Sequence, residues 1–138
     1  MKIFVFGSNL GGFHGAGSAR HALEKHGAKM GVGVGLCGTS YAIPTKDANL
    51  RTLPTHGIKK CVDDFIEFAK QHPEYEFDIV EIGCGLAGYT PADIAPMFRD
   101  APANCNLPKA FVEILRAEVS IGDYLYYKEE YLKCPQKH

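Results

Sequence analysis

The sequence carries no excess of charge of either sign: 15 basic residues stand against 16 acidic ones, for a formal net charge of −1. No overall positive field therefore draws it to nucleic acid. It also lacks any C-x-x-C pair. Cys37, Cys61, Cys84, Cys105 and Cys134 are scattered and odd in number, which argues against a zinc site and against a disulfide framework. Reduced thiols fit a cytosolic compartment, so a cytoplasmic protein is expected. No stretch approaches the roughly 20 apolar residues that span a bilayer. The apolar start, Ile3 to Phe6, is too short for a signal peptide. Repeats, linkers and low-complexity segments are missing too. Basic runs at Lys59-Lys60 and from Lys128 to Lys137 read as solvated faces.

What is present suffices for one domain. The 138 residues are 46% hydrophobic and 22% charged, ordinary for a globular core that needs no disulfides. Ile3-Phe4-Val5-Phe6 reads as a buried strand. It leads into a glycine-rich loop, Gly7 to Gly17, and then a helix from Ser18 to His26 stopped at Gly27. Residues 29–38 read as an irregular loop. Ser40 to Ile43 reads as a short strand stopped by Pro44, and Thr45 to Pro54 as a polar loop. From Thr55, the apolar positions Ile58, Cys61, Val62, Phe65, Ile66, Phe68 and Ala69 recur with helical spacing, and this helix ends near Pro73. A strand from Phe77 to Ile82 feeds the second glycine loop, Gly83 to Gly88. Thr90 and Pro91 then cap a helix that dies near Asp100. Val112 to Leu115 and Tyr124 to Tyr127 fit strand or helix equally.

Two strand–loop–helix units imply parallel strands with right-handed crossovers and helices on both faces, an α/β sandwich in three layers (α/β/α) around a mostly parallel sheet. Both glycine loops leave carboxyl ends of strands, where such sheets bind ligands, so both should face one side.

The first loop holds five of the 15 glycines. A turn that needs positive φ accounts for one or two of them, not five. Backbone N–H groups folded around an anion, aided by the dipole of the following helix, account for more. The commoner phosphate patterns fail. Gly12 and Gly17 have P-loop separation, but Ser18-Ala19 follows where Lys-Ser/Thr is required. The literal G-x-G-x-x-G at Gly33 to Gly38 meets Pro44 instead of a helix, and the acidic residue expected about 20 positions on is missing. Cys84 is no phosphatase thiolate, because position 90 is Thr90 rather than arginine and no Lys or Arg lies between Lys70 and Arg99. It reads as a packing residue beside the ligand. His14 lies inside the first loop and can approach a ligand, whereas His21 and His26, five apart, read as surface histidines. Lys46, at a strand's carboxyl end beside Asp47, becomes a nucleophile only if its pKa is depressed. Alone it reads as a surface lysine.

Taken together, the loops resemble those of the macrodomain superfamily, which binds ADP-ribose. Phe6-Gly7-Ser8-Asn9 through Gly15-Ala16-Gly17 is similar to that family's asparagine-bearing strand end and glycine loop. Ile82-Gly83-Cys84-Gly85-Leu86-Ala87-Gly88 resembles the diphosphate loop of a branch that removes ADP-ribose from protein carboxylates and DNA bases. Tyr41 to Lys46 resembles the segment carrying that branch's lysine, one residue longer between tyrosine and lysine. The chain also looks like a small bacterial and phage family with a VFGSN-like strand and an HGAG-like loop. The similarity covers residues 3–98, within a core of about 1–103 followed by an extension of about 104–138.

The resemblance implies a role for each position. Backbone N–H groups of Gly15, Ala16, Gly17 and Ser18 and of Gly85, Leu86, Ala87 and Gly88 would hold a diphosphate. Gly7, Ser8, His14, Gly83 and Cys84 would surround it. Asn9 would bond the distal ribose with Tyr89 packed beside it, and Lys46 would act at the anomeric carbon. No metal or other cofactor is implied. The partner is ADP-ribose or an ADP-ribosylated protein or nucleic acid. Two departures bear on this. The chain begins at the Asn-bearing strand, leaving adenine recognition unassigned, and Ala87 stands where carboxylate-releasing members carry aspartate. Both a hydrolase and a non-catalytic binding module are compatible with these residues.

Overall fold

The computed structural model describes residues 1–117. The readings of Tyr124 to Tyr127, the Lys128–Lys137 run, Cys134 and the later part of the extension lie outside them. Nine elements build a five-stranded sheet: β1 (Lys2–Asn9), α1 (Gly17–Lys25), β2 (Gly35–Cys37), β3 (Ser40–Lys46), α2 (Thr55–Gln71), β4 (Glu76–Ile79), α3 (Pro91–Ile94) continuing as a 3-10 turn (Ala95–Phe98), and β5 (Cys105–Asn106). A further helix starts at Lys109 and is described to residue 117. The strand order is β2-β3-β1-β4-β5. β1 runs parallel to both β3 and β4, β5 is parallel to β4, and only β2 is antiparallel. The expected mostly parallel α/β sheet is therefore present.

Alternation along β1 sorts its side chains, because successive strand residues point to opposite faces. Ile3 and Val5 join a large buried cluster with Ile58, Val62, Phe65, Ile66 and Ala69 of α2. Phe6 joins a smaller one with Ala19 and Ala22 of α1, Ala28 and Ala42. The alanines let α1 lie close over the strands. In the larger cluster Phe65 is the hub, with ring centroids 5.0 Å from Tyr41 and 5.3 Å from Phe77. Burying such a ring contributes about 1.5–3 kcal/mol.

Four sequence readings need correction. β1 does not end at Phe6 but runs on through Gly7 and Ser8 to Asn9, taking in the start of the first glycine loop. The loop assigned to residues 29–38 contains β2, which pairs with β3 as a hairpin. Three residues with two glycines nearby carry too little alternation to announce a strand. β3 does not stop before Pro44 but runs on to Lys46. β2 covers it only from Ser40 to Ala42, and pairing resumes at Thr45 and Lys46 with Leu53 and Thr52, so the gap at Pro44 tolerates a missing N–H. β4 ends at Ile79 instead of Ile82, where the chain turns with Ile82 N–H bonded to Val80 O at 2.7 Å. The G-x-G-x-x-G pattern lies on the β2 hairpin, in keeping with its rejection. His21 and His26 are not independent. α1 stops at Lys25, and His26 folds back to put the two Nε2 atoms 3.2 Å apart and to stack on Phe4. Burial, with the charge of His21, lowers the His26 pKa. Among the described residues no helix is long and apolar enough to cross a membrane.

Candidate functional site

β3, β1 and β4 lie side by side and parallel, so their carboxyl ends open at one edge of the sheet. The chain leaves β1 for α1 and the smaller cluster, while β3 and β4 lead to α2 and α3 in the larger one. Loops diverging in this way leave a crevice. It is a cavity of about 590 Å³. Gly7, Ser8 and Asn9 of β1, Thr45 and Lys46 of β3, and Val80 to Ala87 after β4 form its walls, closed by Gly15 to Ala19 and by Phe13 and Leu50. Both glycine loops thus face one cavity.

The loop backbones present donors. α1 begins at Gly17 behind Ala16, which has no side chain able to cap it, and its first turn carries no acid. The orphan N–H groups of that turn, with their positive dipole end, are therefore left to whatever fills the cavity. In the second loop, Gly88 N–H is bonded to Gly85 O at 3.1 Å and Tyr89 N–H to Gly83 O at 2.9 Å. These bonds curl the chain so that Gly85, Leu86 and Ala87 stand outward, their N–H groups unpaired among the described residues. Thr52 ties the curl down by donating to Ala87 O at 3.0 Å.

The glycines divide by what requires them. Gly12, Gly17, Gly83 and Gly88 have positive φ, which L side chains rarely adopt. Gly15 and Gly85 do not, and a Cβ on either would meet no heavy atom within 4 Å. Both line the cavity. Neither turn geometry nor packing within the described chain accounts for glycine there.

Asn9 lines the cavity but its amide is already engaged. Nδ2 donates to Phe13 O at 2.8 Å and Oδ1 accepts from Phe13 N–H at 2.9 Å, clamping the start of the first loop. Lys46 reaches the cavity from the last position of β3, its ammonium without a partner among the described residues. Cys84 lines it as a neutral thiol, its pKa pushed up to about 11 by burial and then by Glu81 and Asp93. This agrees with its reading as a packing residue.

Three of the expected ligand residues stand elsewhere. His14 is 1% exposed, beneath the loop, with Nε2 3.0 Å from Val32 O, its ring edge-on to Phe6 and Nδ1 unpartnered. The second layer formed by residues 30–34 covers it: Ser8 Oγ donates to Gly33 O, and Gly33 approaches so closely that a Cβ would sit 2.1 Å from Asn9 O. Gly88 is spent inside its own turn. Tyr89 points its hydroxyl to Leu53 O at 2.7 Å and so braces the loop from behind. Conversely, Phe13, Ala19, Thr45, Leu50, Val80, Glu81 and Ile82 line the cavity without having been assigned a role. Thr45 and Val80 to Ile82 sit beside strand ends that were identified, and adjacency to a parallel strand's end is the signal that finds them. Leu50 has positive φ (62°) in a loop that nothing local brings to the cavity.

Set against protein-family models, curated proteins and solved structures, the chain matches none of them.

Proposed function

We propose that the cavity binds ADP-ribose, free or attached to a macromolecule, and that the protein hydrolyses the ADP-ribosyl linkage, within a three-layer α/β/α fold of macrodomain type. The observation that carries this reading is the convergence on one cavity of two sets of unpaired N–H groups, one from the uncapped first turn of α1 and one from Gly85 to Ala87. Two donor sets suit two linked phosphates better than one. Gly15 and Gly85, which nothing in the described chain requires to be glycine, let ligand oxygens approach the backbone. A volume of about 590 Å³ accommodates a nucleotide. Asn9 and Lys46 then lie at neighbouring strand ends beside the distal ribose, where Lys46 serves the leaving group or attacks the anomeric carbon. The setting is the cytoplasm, where thiols stay reduced.

A binding module without chemistry is the second reading. It is favoured by Ala87 and by the engagement of both Asn9 amide atoms with Phe13. Titration calorimetry with ADP-ribose, ADP and NAD, followed by release assays on an ADP-ribosylated peptide and oligonucleotide, separates the two. Tight ADP-ribose binding with release, lost in Lys46→Ala, supports the hydrolase. Binding without release selects the module. No heat with any of the three nucleotides refutes both.

A further inference from the structure

Two charged residues line the cavity, Lys46 and Glu81, and among the described residues no other Lys, Arg, Asp or Glu does so. They come from either side of the central strand. Lys46 closes β3, Glu81 lies two residues past the end of β4, and Asn9 ends β1 between them. The two are not spent on each other, since no ion pair within 4.0 Å joins them. Glu81 is exposed, with a carboxylate unpartnered among the described residues, and its charge is felt by the Cys84 thiol in the same cavity. An acid and a base held apart across a sugar site, with room for water between, are the requirement of one-step glycoside hydrolysis.

Resting on the hydrolase reading above, we propose that Glu81 is the general base of the reaction, working opposite Lys46. The Glu81 carboxylate takes a proton from a water molecule. That water's oxygen forms a bond to the anomeric carbon of the distal ribose. The bond from this carbon to the departing nitrogen or oxygen breaks, its electron pair staying with the leaving group, which takes a proton from the Lys46 ammonium. One water is consumed, and no further reactant is needed. The carboxylate also offsets the oxocarbenium-like charge that a lone lysine would oppose. Ala87 ceases to be an obstacle, because Glu81, two residues ahead of the same glycine loop, supplies a carboxylate.

The test uses the full chain with two probes, an ADP-ribosyl ester peptide and an oligonucleotide ADP-ribosylated on a base. Glu81→Gln should keep the ADP-ribose Kd within about twofold, because the side chain is exposed, and should lower kcat by about 10²–10⁴-fold. Glu81→Ala in azide should regain release and yield ADP-ribosyl azide by mass spectrometry, since azide attacks without a base. Wild-type turnover in Glu81→Gln overturns the proposal. So does loss of turnover that azide fails to rescue, or wild-type protein that binds ADP-ribose and cleaves neither probe. Failure of the wild type to bind ADP-ribose at all refutes the underlying reading, and calorimetry reveals it before any variant is made.

Discussion

Gly15 and Gly85 lend themselves to a substitution whose effects on stability and on binding should run in opposite directions. Neither has positive φ, and an added Cβ meets nothing within 4 Å. Alanine at such a site restricts the unfolded chain more than it disturbs the folded one, a gain of about 0.4–1 kcal/mol. For a chain of 138 residues this corresponds to a rise of about 1–3.5 °C in Tm. The new methyl group would stand where a phosphate approaches the loop. Displacing one charge-assisted backbone hydrogen bond costs about 1.5–3 kcal/mol, or roughly tenfold to a hundredfold in Kd. Gly12→Ala is the control: at φ +71°, its Cβ would lie 2.4 Å from the Gly31 carbonyl carbon, and it should lose about 1–3 kcal/mol of stability. Thermal unfolding and ADP-ribose calorimetry on the three variants read both effects. If Gly15→Ala and Gly85→Ala bind as the wild type does, the loops do not touch the ligand's phosphates. If either melts below the wild type, the space around it is not open.

Three further outcomes follow from individual contacts. Asn9→Ala removes both bonds to the Phe13 backbone and should cost about 1–3 kcal/mol, seen as a lower urea midpoint; an unchanged midpoint would mean that the clamp contributes nothing. Cys84 and Cys105 are each pushed by burial from the ordinary 9.0 up to about 11. Their neutral forms favour the folded state, so that contribution is complete below pH 9 and should be lost as pH rises through about 11; the Cys84→Ser/Cys105→Ser double variant should show a flatter alkaline decline, and an identical slope would contradict this. Phe65→Ala, at the centre of the larger cluster and 0% exposed, should cost about 3–5 kcal/mol by chemical denaturation, and a loss under 1 kcal/mol would show that the hub repacks.

Much of the fold was legible because its signals are local. The helical spacing from Ile58 to Ala69 needs only that one face of α2 be buried, and the structure buries Ile58, Val62, Phe65, Ile66 and Ala69. The Thr90-Pro91 helix start is equally local. The Asp93 carboxylate accepts the Thr90 N–H at 2.9 Å, and all the residues involved lie within four positions. β2 and the passage of β3 through Pro44 were not legible, since each depends on which neighbour covers an edge. His14 shows the same limit. Nothing in Phe13-His14-Gly15 reveals that residues 30–34 form a second layer over the imidazole.

By itself, the sequence determined that two strands each run into a glycine loop and a helix, because glycine placement and apolar periodicity act over a few residues. It also excluded the P-loop, Rossmann and thiolate arrangements, which demand particular neighbours. The tertiary structure decided that β3, β1 and β4 open side by side, so that residues as distant as Asn9, Lys46 and Glu81 line one cavity. It likewise decided which glycines face open space and that His14 and Tyr89 support the loops from behind. Proximity between distant residues is set by strand order and by the crossovers that produce it, and no local pattern encodes either.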